Sequence, residues 1–90
     1  FARDPLVKAF VLLEADGKCE ACGVNAPFVK SCGAPFLEVH HVRTLSDGGS
    51  DKITNAVALC PNCHRAMHYC INRSERIEGL YSNIKRLLRE

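Results

Sequence analysis

Two Cys-x-x-Cys pairs set far apart, β-branched and aromatic stretches between them, and helix-compatible sequence on both flanks predict an α+β fold. The expected order is helix, cysteine turn, hairpin strands, loop, strand, cysteine turn, helix and helix. A chain of 90 residues buries too little apolar surface to be comfortably stable unaided, so a brace is expected. Cys19/Cys22 and Cys60/Cys63 supply it, because each pair encloses small or turn-forming residues, Glu20-Ala21 and Pro61-Asn62. Two such turns present four thiolates to one zinc ion. Six cysteines could instead form a disulfide framework, but the paired spacing favours metal in a reducing compartment. Cys32 and Cys70 are left over as small buried or free thiols.

The elements follow from local chemistry. Asp4 can cap free amides and Pro5 suits the first helical position, so the N-terminal segment 1–18 carries a helix from Pro5 to about Ala15. Leu6, Phe10 and Leu13 can share a face of it, and Gly17 stops it. Pro27–Lys30 and Phe36–Val42 read as a hairpin turning at Ser31–Ala34, and Arg43–Lys52, with Asp47-Gly48-Gly49-Ser50, reads as a loop. Ala56–Leu59 returns as a strand into the second cysteine pair, and a helix runs on to about Cys70, which completes a braced core over 19–70. Residues 74–90 read as a C-terminal amphipathic helix capped by Ser74, with Ile77, Leu80, Tyr81, Ile84, Leu87 and Leu88 at helical spacing. Gly79 costs this helix about 1 kcal/mol relative to Ala, so it depends on packing. Its polar face, with Arg76, Lys85, Arg86 and Arg89, reads as solvated surface.

Composition excludes more than it suggests. Hydrophobic content of 47% and charged content of 24% are those of a folded globular chain, and a net charge of +2 gives little support for a polyanionic partner. The longest apolar run, Ala9–Leu13, is far short of the ~20 residues that span a bilayer, and no signal segment is visible. A cytoplasmic protein without membrane contact is expected. A first residue of Phe1 rather than Met suggests numbering that begins inside a larger protein.

All four histidines fall in two places, His40-His41 at the end of a strand and His64 and His68 four apart on the helix after the second cysteine pair. Residues at i and i+4 are neighbours on a helix, so His64 and His68 can hold one ion together. Strict strand alternation would separate His40 from His41, so the strand must end or bulge there for both to reach one substrate.

Leu37-Glu38-Val39-His40-His41-Val42, Leu45-Ser46-Asp47-Gly48-Gly49, Asn55, and Ala58-Leu59-Cys60-Pro61-Asn62-Cys63-His64-Arg65-Ala66-Met67-His68 together resemble the motif of HNH, or His-Me finger, endonucleases. The likeness is greatest to the zinc-braced branch found in bacterial modification-dependent restriction nucleases. It runs from about Arg3-Asp4-Pro5 to His68; Asn72–Glu90 matches nothing recognisable. The resemblance implies a ββα-metal core between the two cysteine turns and cleavage of double-stranded DNA, leaving a 5′-phosphate and a 3′-hydroxyl. It implies that His41 is the general base, that His40, His64 and His68 hold the catalytic metal, and that Asn55 orients the His41 ring. An imidazole, with an ordinary pKa of ~6.5, can take a proton from water near neutrality, and a divalent ion stabilises charge on the phosphate. His stands at the first metal position where many members have Asp, which opens the site to Mn, Ni, Co or Zn as well as Mg. A homodimer would serve double-strand cleavage, and a recognition domain would lie outside these residues. The alternatives are a zinc-stabilised nucleic-acid-binding module without catalysis, and a nuclease acting on RNA.

Overall fold

The computed structural model describes residues 3–90, so Phe1 and Ala2 of the expected N-terminal segment lie outside the described residues. The elements are α1 (Pro5–Ala15), β1 (Glu38–His41), β2 (Ala56–Leu59), α2 (Pro61–Tyr69) and α3 (Arg73–Asn83), with 3-10 turns at Leu45–Asp47 and Ile53–Asn55. This is the expected α+β class, with three helices around a two-stranded sheet.

Asp4 caps α1 as expected, its carboxylate accepting the Leu6 N–H at 2.9 Å, with Pro5 at the first turn. The helix ends where Asp16 turns left-handed and its N–H reaches the Leu12 and Leu13 carbonyls. Its inward face is not the expected one. Val7, Val11 and Ala15 are buried, whereas Leu6 and Leu13 are 75% and 79% exposed. Both stripes have helical spacing, and small side chains win because α1 packs against β2, whose Ala56 and Ala58 allow close approach.

β1 and β2 pair antiparallel with Glu38 opposite Leu59, Val39 opposite Ala58, His40 opposite Val57 and His41 opposite Ala56. Every residue of β2 is buried, so this strand is the centre of the core, with α1 and α2 both against it. The expected hairpin contracts to one bridge, Val29 to Pro35, flanked by the Phe36 N–H to Phe28 carbonyl bond and a Phe28–Phe36 ring stack at 4.6 Å. Pro27 and Pro35 have no N–H to donate, which keeps the ladder from growing. The strand containing the two histidines therefore takes β2 as its partner.

The C-terminal segment departs most from expectation. α3 starts at Arg73, with Asn72 rather than Ser74 at its N-cap, and stops at Asn83 instead of running to Glu90. The tail that follows is held in place by stronger partners than a helix offers. Arg86 donates to both carboxylate oxygens of Glu20 at 3.1 and 2.9 Å, and to the carbonyls of Ile53 and Ala56. Leu87 enters the core, the Leu88 N–H bonds the Thr54 carbonyl, and Glu90 accepts from Ser50. Arg86 is thus no solvated residue, since it and Glu20 are only 13% and 11% exposed. Such a pair repays its desolvation only when further hydrogen bonds support it, and here each of the three guanidinium nitrogens has an acceptor.

Candidate active site

Four thiols converge between the Gly17–Asn25 turn and the start of α2. The Sγ atoms of Cys19, Cys22, Cys60 and Cys63 all lie within 4.8 Å of one another, and Cys22 and Cys60 are 3.9 Å apart. Thiolates each about 2.3 Å from a tetrahedral zinc stand roughly 3.8 Å apart, so the donor set fits that ion. Cys60 also caps α2, its sulfur accepting the Cys63 N–H. Burial raises the Cys60 and Cys63 thiols, while at Cys19 burial is outweighed by N–H bonds from Cys22, Cys60 and Ala21, which bring it down to about 7. Glu20, inside the first pair, is tied to β2 by its own N–H to the Ala58 carbonyl and by its carboxylate accepting the Ala58 N–H. Cys32 and Cys70 are free and lie outside this cluster.

The second cluster is built from nitrogen. His40 at the end of β1 meets His64 and His68 on α2, with ring centroids 4.9–5.1 Å apart and one nitrogen from each ring within 4.8 Å of the others. Burial, and then the neighbouring charges of His64, His68, His41 and Arg73, push the His40 pKa down to about 3, and His68 is lowered in the same way by burial, His64, Arg73 and Arg65. Neutral rings with lone pairs turned together suit a divalent ion. The Glu38 carboxylate lies 3.0 Å from His64 Nδ1. An ionised carboxylate only accepts, so Nδ1 carries the proton and Nε2 keeps its lone pair, the arrangement that orients a metal-binding histidine.

His41 turns the other way. β1 ends without a bulge, and alternation sends His41 to the opposite side from His40. Its Nε2 lies 2.8 Å from the Asp51 carboxylate, which also accepts the Asp4 N–H at the entrance of α1. The Asp4 amide, and after it the His41 bond, holds the Asp51 carboxyl below its ordinary range. By the same acceptor argument Nε2 is protonated, and Nδ1 is the nitrogen free to take a proton. Although they diverge, all four histidines line one cleft of about 570 Å³, walled also by Arg3, Arg73 and the Thr44–Asp47 turn.

Asn55 makes no hydrogen bond to His41. Fully buried, it accepts the Arg43 N–H with its carbonyl oxygen and donates to the Arg43 and Ser50 carbonyls, all at 2.9 Å. Its amide is used up in closing the loop between β1 and β2, so the expected orienting bond passes to Asp51, at the end of that loop. Gly49 tightens the same loop: a Cβ there would lie 1.8 Å from the Arg43 carbonyl oxygen. Asp51 left no signal in the sequence, where it reads as one more polar loop residue. Glu38 did, since two residues before His40 it shares that residue's face of the strand.

Four thiols on two turns bracketing a ββα unit, with imidazoles gathered on its strand and helix, define a finger of the His-Me type whose four-cysteine cluster is suited to zinc. Residues 19–70 match the sequence profile of the HNH endonuclease family, and the chain belongs to that family. It is 59% identical over 87 residues to the type IV methyl-directed restriction enzyme EcoKMcrA of Escherichia coli K12, a match covering 97% of this chain and 31% of that protein. The solved type IV phosphorothioation-dependent restriction endonuclease ScoMcrA superposes with a TM-score of 0.80 at 35% identity, over 93% of this chain and 16% of that one. The chain thus spans under a third of the length of either relative. Among the described residues no helix is long and apolar enough to cross a membrane.

Proposed function

We propose that this domain hydrolyses phosphodiester bonds of double-stranded DNA with a divalent ion on His40, His64 and His68 and His41 as general base, and that it is the cleavage domain of a restriction-type enzyme. The observation that carries the reading is the divergence of His40 and His41 within one cleft: one imidazole joins a three-nitrogen cluster, while the other stays outside it, held by a carboxylate. A purely structural ion would leave the Asp51–His41 pair without a use, which weighs against a non-catalytic nucleic-acid-binding module.

His41 Nδ1 takes a proton from a water whose oxygen bonds to phosphorus as the bond to the 3′ oxygen breaks, and the departing 3′ oxygen takes a proton from solvent to leave as a hydroxyl. Asp51 holds the ring, stabilises the imidazolium that forms, and keeps the receiving nitrogen turned to the cleft. A bound divalent ion would supply charge stabilisation at the phosphate and the leaving oxygen. Asn55 and Gly49 serve by fixing the loop that ends at Asp51. Three imidazoles without a carboxylate favour Mn, Co, Ni or Zn alongside Mg. Recognition of the target, and any pairing of copies for double-strand cleavage, are assigned to parts of a longer protein, in keeping with the 31% of the Escherichia coli relative that the chain covers. The test is plasmid nicking by metal-stripped protein with single divalent metals added back. Cleavage with manganese is expected; cleavage of RNA alone would transfer the reading to a ribonuclease, and no cleavage with any metal would return it to a binding module.

A further inference from the structure

The cleft is walled by two arginines whose situations differ. Arg3 has the Asp51 carboxylate near it, but among the described residues no carboxylate pairs with Arg73. Arg73, the first residue of α3, has its Nε fixed 2.7 Å from the carbonyl of Met67, the residue before His68. That bond aims the guanidinium from the C-terminal end of α2 into the cleft beside the imidazole cluster, and its two terminal amino groups make no hydrogen bond among the described residues.

A cation held beside a cluster of three imidazole nitrogens is electrostatically at odds with a divalent ion on that cluster. Like charges a few ångströms apart repel by several kcal/mol at the effective dielectric of a protein surface, on the order of 4 kcal/mol per unit charge pair at 4 Å. The arrangement becomes favourable when an anion with two free oxygens lies between them, one oxygen toward the metal and one toward the guanidinium. A phosphodiester is such an anion, and the planar fork of arginine matches its geometry where a lysine does not.

We propose that Arg73 is a further catalytic residue, which grips a non-bridging oxygen of the scissile phosphate from the α2 end of the cleft. This rests on the nuclease reading above. As water attacks and the bond to the 3′ oxygen breaks, negative charge builds on the non-bridging oxygens, and a donor already fixed by Met67 stabilises it without rearranging. The contact strengthens as that charge grows, so it acts on turnover more than on affinity for DNA.

Single-turnover plasmid cleavage in manganese tests this on the whole chain with Arg73→Gln, Arg73→Lys and Lys85→Ala. Glutamine retains an amide donor for the Met67 carbonyl but has no charge, and Lys85 is an exposed tail residue away from the cleft. Arg73→Gln is expected to lose about 10²-fold in rate, the scale seen when one such donor is removed, with manganese affinity by calorimetry and the melting temperature unchanged. Arg73→Lys should recover only part of the loss, and Lys85→Ala none of it should show. In a fourth variant, Arg73→Ala, added guanidinium ion at millimolar concentration should raise the rate, and it should leave wild type unaffected. A wild-type rate in Arg73→Gln, or a loss that tracks weaker manganese binding, overturns the assignment while leaving the nuclease reading intact. A wild-type chain that cuts no DNA overturns both.

Discussion

One helix, α2, contributes to two clusters of metal-ligating side chains of opposite design. Cys60 and Cys63 at its start complete a set of four thiols, three of them buried, knitted to β2 by Glu20 and to the tail by Arg86. One residue on, His64 and His68 belong to a cluster of three imidazole nitrogens that opens onto a cleft. Four protein donors close a coordination sphere and leave nothing for a substrate, whereas three leave a position open. Adjacent ligands on one helix mean that whatever holds the first site rigid also fixes the second. With zinc on its four thiols, the first site would brace the domain and so place the second.

That contrast can be broken from its stronger side first. Cys60→Ser removes a thiolate and the α2 cap together, and because structural zinc supplies on the order of 10 kcal/mol of apparent binding energy to small domains, the variant should be unfolded by circular dichroism. Elemental analysis of the wild type showing no zinc, or a mass showing disulfides, would remove the brace from the account. Next in size, His41→Ala should lower the cleavage rate about 10²–10⁴-fold with both metals and the fold retained. Gly49→Ala drives a Cβ into the Arg43 carbonyl, so the loop must shift; activity should fall severalfold while zinc content stays at one per chain. A smaller effect is expected for Glu38→Gln, whose weakened hold on His64 should reduce affinity for the catalytic metal about 10-fold and leave the melting temperature unchanged.

Asp51 sharpens the contrast through pH. Its carboxyl titrates below the ordinary value, so the stability it lends is present above the unfolded pKa of ~3.9 and is lost as pH falls through its lower folded value. Asp51→Asn should therefore flatten the acid limb of a melting-temperature profile below about pH 4. An unchanged acid limb would mean that the Asp4 and His41 bonds contribute nothing to the fold.

The sequence made the chemistry more legible than the packing. Cys-x-x-Cys spacing and the i, i+4 pair on α2 depend on local geometry alone, and the thiols and imidazoles gather as those patterns require. Where two local patterns competed, tertiary structure chose. α1 has two apolar stripes of equal period, and only contact with the alanines of β2 selects Val7, Val11 and Ala15. The apolar spacing of the C-terminal segment continues past Asn83, yet the chain leaves the helix because Arg86 finds Glu20, which lies 66 residues away in sequence. The bond to His41 expected of Asn55 is made by Asp51 for a similar reason. Which of them faces His41 depends on how the fourteen-residue connection from β1 to β2 closes over itself, and no periodicity encodes that.

The division of labour between the two adjacent histidines of β1 is tested most directly by one measurement, the rate of plasmid cleavage against manganese concentration for wild type, His41→Ala and His68→Ala. With His68 as one of three metal ligands, His68→Ala should be slow at low manganese and regain rate as manganese rises. With His41 as the base and no ligand, His41→Ala should stay slow and flat across the whole range. Rescue of His41→Ala by manganese, or a His68→Ala curve parallel to wild type, would contradict the assignment and exchange the roles of the two sides of the strand.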